Sequence, residues 1–214
     1  MQQILLNEYT DFLCKKKSVN SKNLGAGKVQ APLEVTTSEE FDLKDKETLI
    51  IQPVNTGSVT YKNPKKQSVS VIDYEKYINS LPDSVQNGLK RCDFLVYSED
   101  SDVFILNELS QSKNVFDKES HAIHQLADTL ALLLECNETK SKILNYGEKY
   151  CIFSNRYKKI ESPDGVADAF GAVYDLIGTL EIAKPEDIPA ISALGFVYYR
   201  SSTIELSDTL SFYI

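Results

Sequence analysis

The stretch Lys90-Arg-Cys-Asp-Phe-Leu-Val-Tyr-Ser-Glu-Asp-Ser-Asp-Val-Phe-Ile-Leu-Asn-Glu-Leu-Ser110 constrains what this chain can fold into more than any other segment. Residues 93–98 and 103–109 read as two strands around the polar turn Glu99-Asp-Ser-Asp102. Phe94 and Val96 alternate with Leu95 and Tyr97, and Val103 and Ile105 alternate with Phe104 and Leu106. Both faces of both strands are therefore apolar, which places the pair inside a sheet covered on both sides.

The flanking segments supply the covering. Ile4, Leu5, Tyr9, Phe12 and Leu13 share one helical face and predict an amphipathic helix over 3–16. Between 48 and 72, Leu49-Ile-Ile-Gln-Pro-Val54 and Ser68-Val-Ser-Val-Ile72 read as strands, separated by turns at Asn55-Thr-Gly57 and Asn63-Pro64. Asp73 can cap a short helix ending near Pro82. After the central pair, Ile123, Leu126, Ala127, Leu130, Leu133 and Leu134 form a 3.6-residue stripe, predicting a helix over 119–135. A strand at Tyr150-Cys-Ile-Phe-Ser154 follows. Ser162-Pro163 then opens a helix with the stripe Val166, Ala169, Phe170, Val173, Ile177 and Leu180. Gly195-Phe-Val-Tyr-Tyr-Arg200 and the apolar C-terminal residues read as edge strands.

At 214 residues and 42% hydrophobic content the chain can bury a substantial core. No run of 18 apolar residues is present, and an acid stands at Glu8 where a secretory signal would be apolar, so a cytoplasmic location without membrane insertion is expected. Cys14, Cys92, Cys136 and Cys151 have neither C-x-x-C spacing nor a His cluster beside them, and read as reduced, buried thiols. The formal net charge of −8 excludes a surface that grips nucleic acid all over. Residues 1–68 carry 10 lysines against 8 acids, and the remainder 13 basic groups against 23 acids. Contact with nucleic acid must then be local, and the cluster Arg156-Tyr157-Lys158-Lys159 is a candidate for it. The lysine-rich loop of Lys15, Lys16, Lys17, Lys22 and Lys28 reads as a flexible solvated segment.

Pairing of Ser98 with Val103 across the turn fixes a constant residue sum along the two strands and sets Asp93 opposite Glu108. Opposed Cβ atoms lie about 4.5–5.5 Å apart, and like charges there repel, so a cation or a proton must relieve the pair. A Mg²⁺ ion held by one or two carboxylates and by substrate phosphate oxygens is the usual relief. A one-residue slip would send the two acids to opposite faces.

Cys-Asp93-Phe-Leu-Val, a short turn, Val-Phe-Ile-Leu-Asn-Glu108-Leu-Ser110, a helix carrying Gln125-Leu126 and a further strand together resemble the core of the PD-(D/E)XK, or restriction-endonuclease-like, nucleases over roughly residues 73–154. The resemblance implies an α/β fold with a mixed central sheet flanked by helices. Chain length makes a single domain over 1–214 the default, with an N-terminal helix, lysine-rich loop and strands (1–68), the nuclease-like core (69–160), and a C-terminal helix with edge strands (161–214). The resemblance also implies that Asp93 and Glu108 bind Mg²⁺ or Mn²⁺ and orient an attacking water. The family carries a lysine two positions after its second acid. Here that position is Ser110, which brings no positive charge. Lys113 is the nearest candidate to replace it, Glu75 is the candidate for the family's upstream helical acid, and Gln111 should point to the opposite face.

Two functions follow. One is a metal-dependent DNA phosphodiester hydrolase, of the kind used in bacterial defence or DNA processing, with Arg156, Lys158 and Lys159 contacting phosphates. The other is a catalytically inactive relative that keeps the fold as a protein-interaction or regulatory module. Gly25-Ala-Gly27-Lys28 departs from a phosphate-binding loop, because lysine stands at position 22 and Val29 replaces the hydroxyl that holds Mg²⁺. His121 and His124 read as solvent-facing helix residues that could also meet a substrate or metal.

Overall fold

The computed structural model describes residues 1–24, 28–44, 49–112, 114–156, 182–207 and 210–213. Lys113, Lys158, Lys159, the segment 25–27 and the helix expected after Ser162-Pro163 lie outside the described residues. The described strands are β1 (Leu33–Thr36), β2 (Glu40–Leu43), β3 (Ile51–Gln52), β4 (Val59–Lys62), β5 (Val69–Asp73), β6 (Phe94–Ser98), β7 (Val103–Ser110), β8 (Glu148–Asn155), β9 (Val197–Arg200), β10 (Thr203–Glu205) and β11 (Ser211–Tyr213). The described α-helices are α1 (Gln2–Ile4), α2 (Thr10–Lys16), α3 (Tyr74–Asn79), α4 (Asp83–Gln86), α5 (Val115–Glu135), α6 (Asn137–Leu144) and the single turn Pro189–Ser192.

These strands form two mixed sheets. The first has the order β1-β5-β6-β7-β8-β9, antiparallel from β1 to β7 and parallel from β7 to β9. The second has the order β11-β10-β4-β2-β3, in which only the β10–β4 pair is parallel. An α/β architecture with a mixed sheet flanked by helices is thus observed, together with a second sheet that the sequence reading did not include.

Strand alternation explains the layering. On one face of the first sheet Leu95, Tyr97, Phe104, Leu106, Cys151 and Phe153 join a core with Leu126, Leu130 and Leu133 of α5 and with Tyr77 and Ile78 of α3. Each of those leucines contributes about 1.5–3 kcal/mol by leaving water. On the other face Val71, Phe94, Val96, Val103, Ile105 and Ile152 meet Phe41, Leu43, Val59, Tyr61, Ile204 and Phe212 of the second sheet. Helices cover one side of the central pair, and a sheet covers the other.

Local chemistry sets the boundaries. The Asp73 carboxylate accepts the Lys76 N–H at 2.7 Å and starts α3, which ends at Asn79, ahead of Pro82. The strand expected over 49–54 shrinks to Ile51–Gln52, followed directly by Pro53, which cannot donate to a ladder. The N-terminal helix contains a π-helical turn, Leu5–Tyr9, between α1 and α2. There the Leu5 carbonyl accepts from the Thr10 hydroxyl at 2.7 Å and from the Tyr77 hydroxyl at 2.9 Å, so side chains share the bonding of that turn. No described helix is long and apolar enough to cross a membrane.

Candidate active site

The β6–β7 register pairs Ser98 with Val103 and Phe94 with Asn107. Its constant sum carries on to Asp93 and Glu108, just beyond the last ladder pair. Asp93 shares the parity of Leu95 and Tyr97, and Glu108 that of Phe104 and Leu106, all four of which face the helices. Both acids therefore stand on the helix-facing side of the sheet, and each is only 8% exposed.

Three elements hold Asp93 in place. Its carbonyl accepts the Tyr74 and Glu75 N–H groups at the start of α3, at 2.9 and 3.2 Å. The residues before it are tied to α5, where Gln125 Nε2 donates to the Arg91 carbonyl at 3.0 Å and the Thr129 hydroxyl accepts the Cys92 N–H at 2.9 Å. Its own Oδ2 accepts the Leu109 N–H at 2.6 Å, which closes the strand pair past the end of the ladder. One carboxylate oxygen is thus committed to backbone. Burial first, and the Glu108 and Asp93 charges next, push the neighbouring Cys92 thiol well above its ordinary value.

Glu108 opens into a cleft of about 360 Å³ lined by Leu109, Ser110, Lys118, His121, Gln125 and Phe153 among others. A second cleft, of about 350 Å³, is lined by Glu75, Leu89, Lys90, Arg91, His121, His124 and Gln125. His121 and Gln125 line both, so the two clefts adjoin along α5. Ser110 has the parity of Glu108 and lines the first cleft with it, which is where the sequence placed it. Gln111 points the other way, donating to the Ser58 hydroxyl at 2.9 Å on the side of the second sheet.

Other site candidates take different places. Glu75 lies in the second cleft, where its Oε1 is 3.9 Å from Arg91 Nε. Arg156 follows β8 and turns to the second sheet. Its guanidinium donates to Asp42 Oδ2 at 3.3 Å, to the Thr60 hydroxyl at 2.8 Å and to the Ser202 carbonyl at 3.1 Å. His121 and His124 are exposed, as a solvent-facing reading required, and they also line the clefts. Lys118 is the group that sequence reasoning missed. It lies one helical turn before His121, ahead of the apolar stripe from which the helix was read, and a lone exposed lysine there carries no signal of its own.

The donor set bears on the metal implied by the family resemblance. Among the described residues no three His, Cys, Asp or Glu side chains converge as a ligand group. Two buried carboxylates on one face fit a Mg²⁺ or Mn²⁺ ion that takes its remaining oxygens from water and substrate. They do not fit the closed four-ligand sphere of structural zinc. Comparison with protein-family models, with curated proteins and with solved structures returned no match to this chain.

Proposed function

We propose that this protein is a Mg²⁺- or Mn²⁺-dependent DNA phosphodiester hydrolase with a restriction-endonuclease-like core. The observation that carries the reading is that Asp93 and Glu108 are both nearly buried, that they stand at the same end of the β6–β7 pair, and that Glu108 lines a cleft that also receives Lys118. Asp93 and Glu108 would hold the ion, which when bound supplies positive charge to a phosphoryl oxygen and lowers the pKa of a bound water. The chain's own residues do the rest. Leu109 N–H fixes the Asp93 carboxylate, and Gln125 with Thr129 keeps the Arg91–Asp93 backbone against α5. Lys118 brings to the cleft the charge that Ser110 lacks, where it can stabilise negative charge developing on the phosphate. His121 can exchange a proton with the leaving oxygen.

Ser110 and the net charge of −8 favour the second reading, an inactive relative that binds a protein partner. Labelled single- and double-stranded DNA incubated with Mg²⁺ or Mn²⁺ separates the two. The hydrolase reading expects cleavage by the wild type and none by Asp93→Asn or Glu108→Gln. It also expects the ion to raise the wild-type Tm, by about 2.7 kcal/mol of stabilisation at a hundredfold excess over Kd, with no rise in Glu108→Gln. Equal shifts in both proteins would remove Glu108 from the ligand set. Absence of both cleavage and shift would leave the interaction module.

A further inference from the structure

Apart from His121 and Gln125, through which it adjoins the first, the second cleft has no part in the chemistry just described. Its rim carries Lys90, Arg91 and His124, opposed by the single acid Glu75, which lies 3.9 Å from Arg91. Lys90 and His124 are exposed, while Arg91 is about a quarter exposed. In a chain of net charge −8, such a cationic concavity beside the carboxylates is where the next phosphate of a polyanion would be held.

We infer that Lys90, Arg91 and His124 form a second phosphate subsite, and that the clefts together take a single strand of nucleic acid rather than a duplex. The inference rests on the hydrolase reading for the identity of the ligand. Geometry supports the first half. Lys118, His121 and His124 recur every three residues on α5, and the six-residue span from first to last rises about 9 Å, enough to meet successive phosphates along one strand.

Size and charge support the second half. Each cleft lies at the lower end of the usual ligand-site range of about 300–1,000 Å³, which suits a nucleotide unit or two and not the width of a double helix. Tight duplex binders commonly neutralise about 6–10 phosphates. The described clefts offer the cations Lys90, Arg91 and Lys118. A strand bound by three cations should show a salt slope near about −2, since single strands release about 0.7 counterion per neutralised phosphate.

The test is fluorescence anisotropy in Ca²⁺ with labelled oligothymidylates of two, four and twelve nucleotides and with a twelve-pair duplex, on the wild type, Lys90→Ala, His124→Ala and Arg91→Lys. Expected is preference for the single strands, with Lys90→Ala lowering the salt slope by about 0.7, or about fivefold in affinity at 0.1 M salt relative to a 1 M reference. The dinucleotide should lose less than the longer strands. Since Lys90 and His124 are exposed, their variants should fold, and circular dichroism verifies it. Unchanged slopes in folded Lys90→Ala and His124→Ala, or duplex bound as tightly as single strand, would overturn the inference. The expected slopes without any Mg²⁺- or Mn²⁺-dependent cleavage would support the subsite and sink the hydrolase reading. Cleavage of wild-type substrate with no effect of Lys90→Ala would sink the subsite alone.

Discussion

Replacing Arg156 with Met should unfold the protein more readily and leave unchanged the oligonucleotide binding that the proposed function predicts. The guanidinium meets Asp42, whose side chain is fully buried and, among the described residues, otherwise accepts the Gly57 N–H at 2.8 Å and the Thr60 hydroxyl at 2.6 Å. Met keeps the apolar stem and removes the charge, leaving the carboxylate with two neutral donors. Breaking a buried pair from one side costs about 3–5 kcal/mol. The Arg156 side chain is 22% exposed, so solvent already screens part of the attraction, and a loss of about 2–4 kcal/mol is expected. For a chain of this length that lowers Tm by about 4–16 °C, at about 2–4 °C per kcal/mol. Urea denaturation gives the free energy, and the double change Asp42→Asn with Arg156→Met should recover at least about 1 kcal/mol by removing the stranded charge. A stability within about 0.5 kcal/mol of wild type, combined with weaker oligonucleotide binding, would refute the structural role and restore Arg156 as a phosphate contact.

Three further outcomes are expected. If Lys118 supplies the missing charge, Lys118→Ala should reduce cleavage about a hundredfold, within the range of a lost transition-state donor, and adding Ser110→Lys should restore part of it; an unaltered rate in Lys118→Ala excludes the role. Tyr74→Phe removes the 2.7 Å hydroxyl contact with Tyr9 between two fully buried rings and should cost about 1–3 kcal/mol in urea denaturation. Burial raises Tyr9, Tyr61 and Tyr74 well above 10, so folding favours their neutral forms. That stability is intact below pH 10 and is lost as pH climbs from 10 toward the raised values. The tyrosinate absorbance of these three should therefore appear together with loss of circular dichroism, and titration of all 12 tyrosines near pH 10 in a still-folded protein would contradict it.

The legible parts of this fold were those where local pattern and tertiary demand agree. The β6–β7 pair was readable because a four-residue turn fixes the register and apolar side chains fill both faces. The long helix α5 was readable from its leucine stripe, although its first turn, Val115 to Lys118, lies ahead of that stripe and was missed. The second sheet escaped notice because β2, Glu-Phe-Asp-Leu, and β4, Val-Thr-Tyr-Lys, are four-residue strands with only two apolar positions each. The second partner of β4 is β10, about 140 residues along the chain, where no local signal reaches, and β11 joins the sheet only through β10. Glu108 and Ser110, which line one cleft, could be grouped from strand parity alone. The surroundings of Arg156 could not, because a basic residue beside two lysines looks the same in sequence whether it meets solvent or Asp42.

The parallel pairing of β4 with β10 has a consequence for biosynthesis. Val59–Lys62 is made about 140 residues before Thr203–Glu205, the strand that covers its second edge. At about 5–20 residues per second, the ribosome leaves that edge bare for roughly 7–28 s. During this interval β2, made earlier, is already available to pair on the other side, so a half-built sheet with one open ladder precedes the finished one. An unpaired edge is a template for foreign strands. Slow codons placed between positions 62 and 203 would lengthen the exposure.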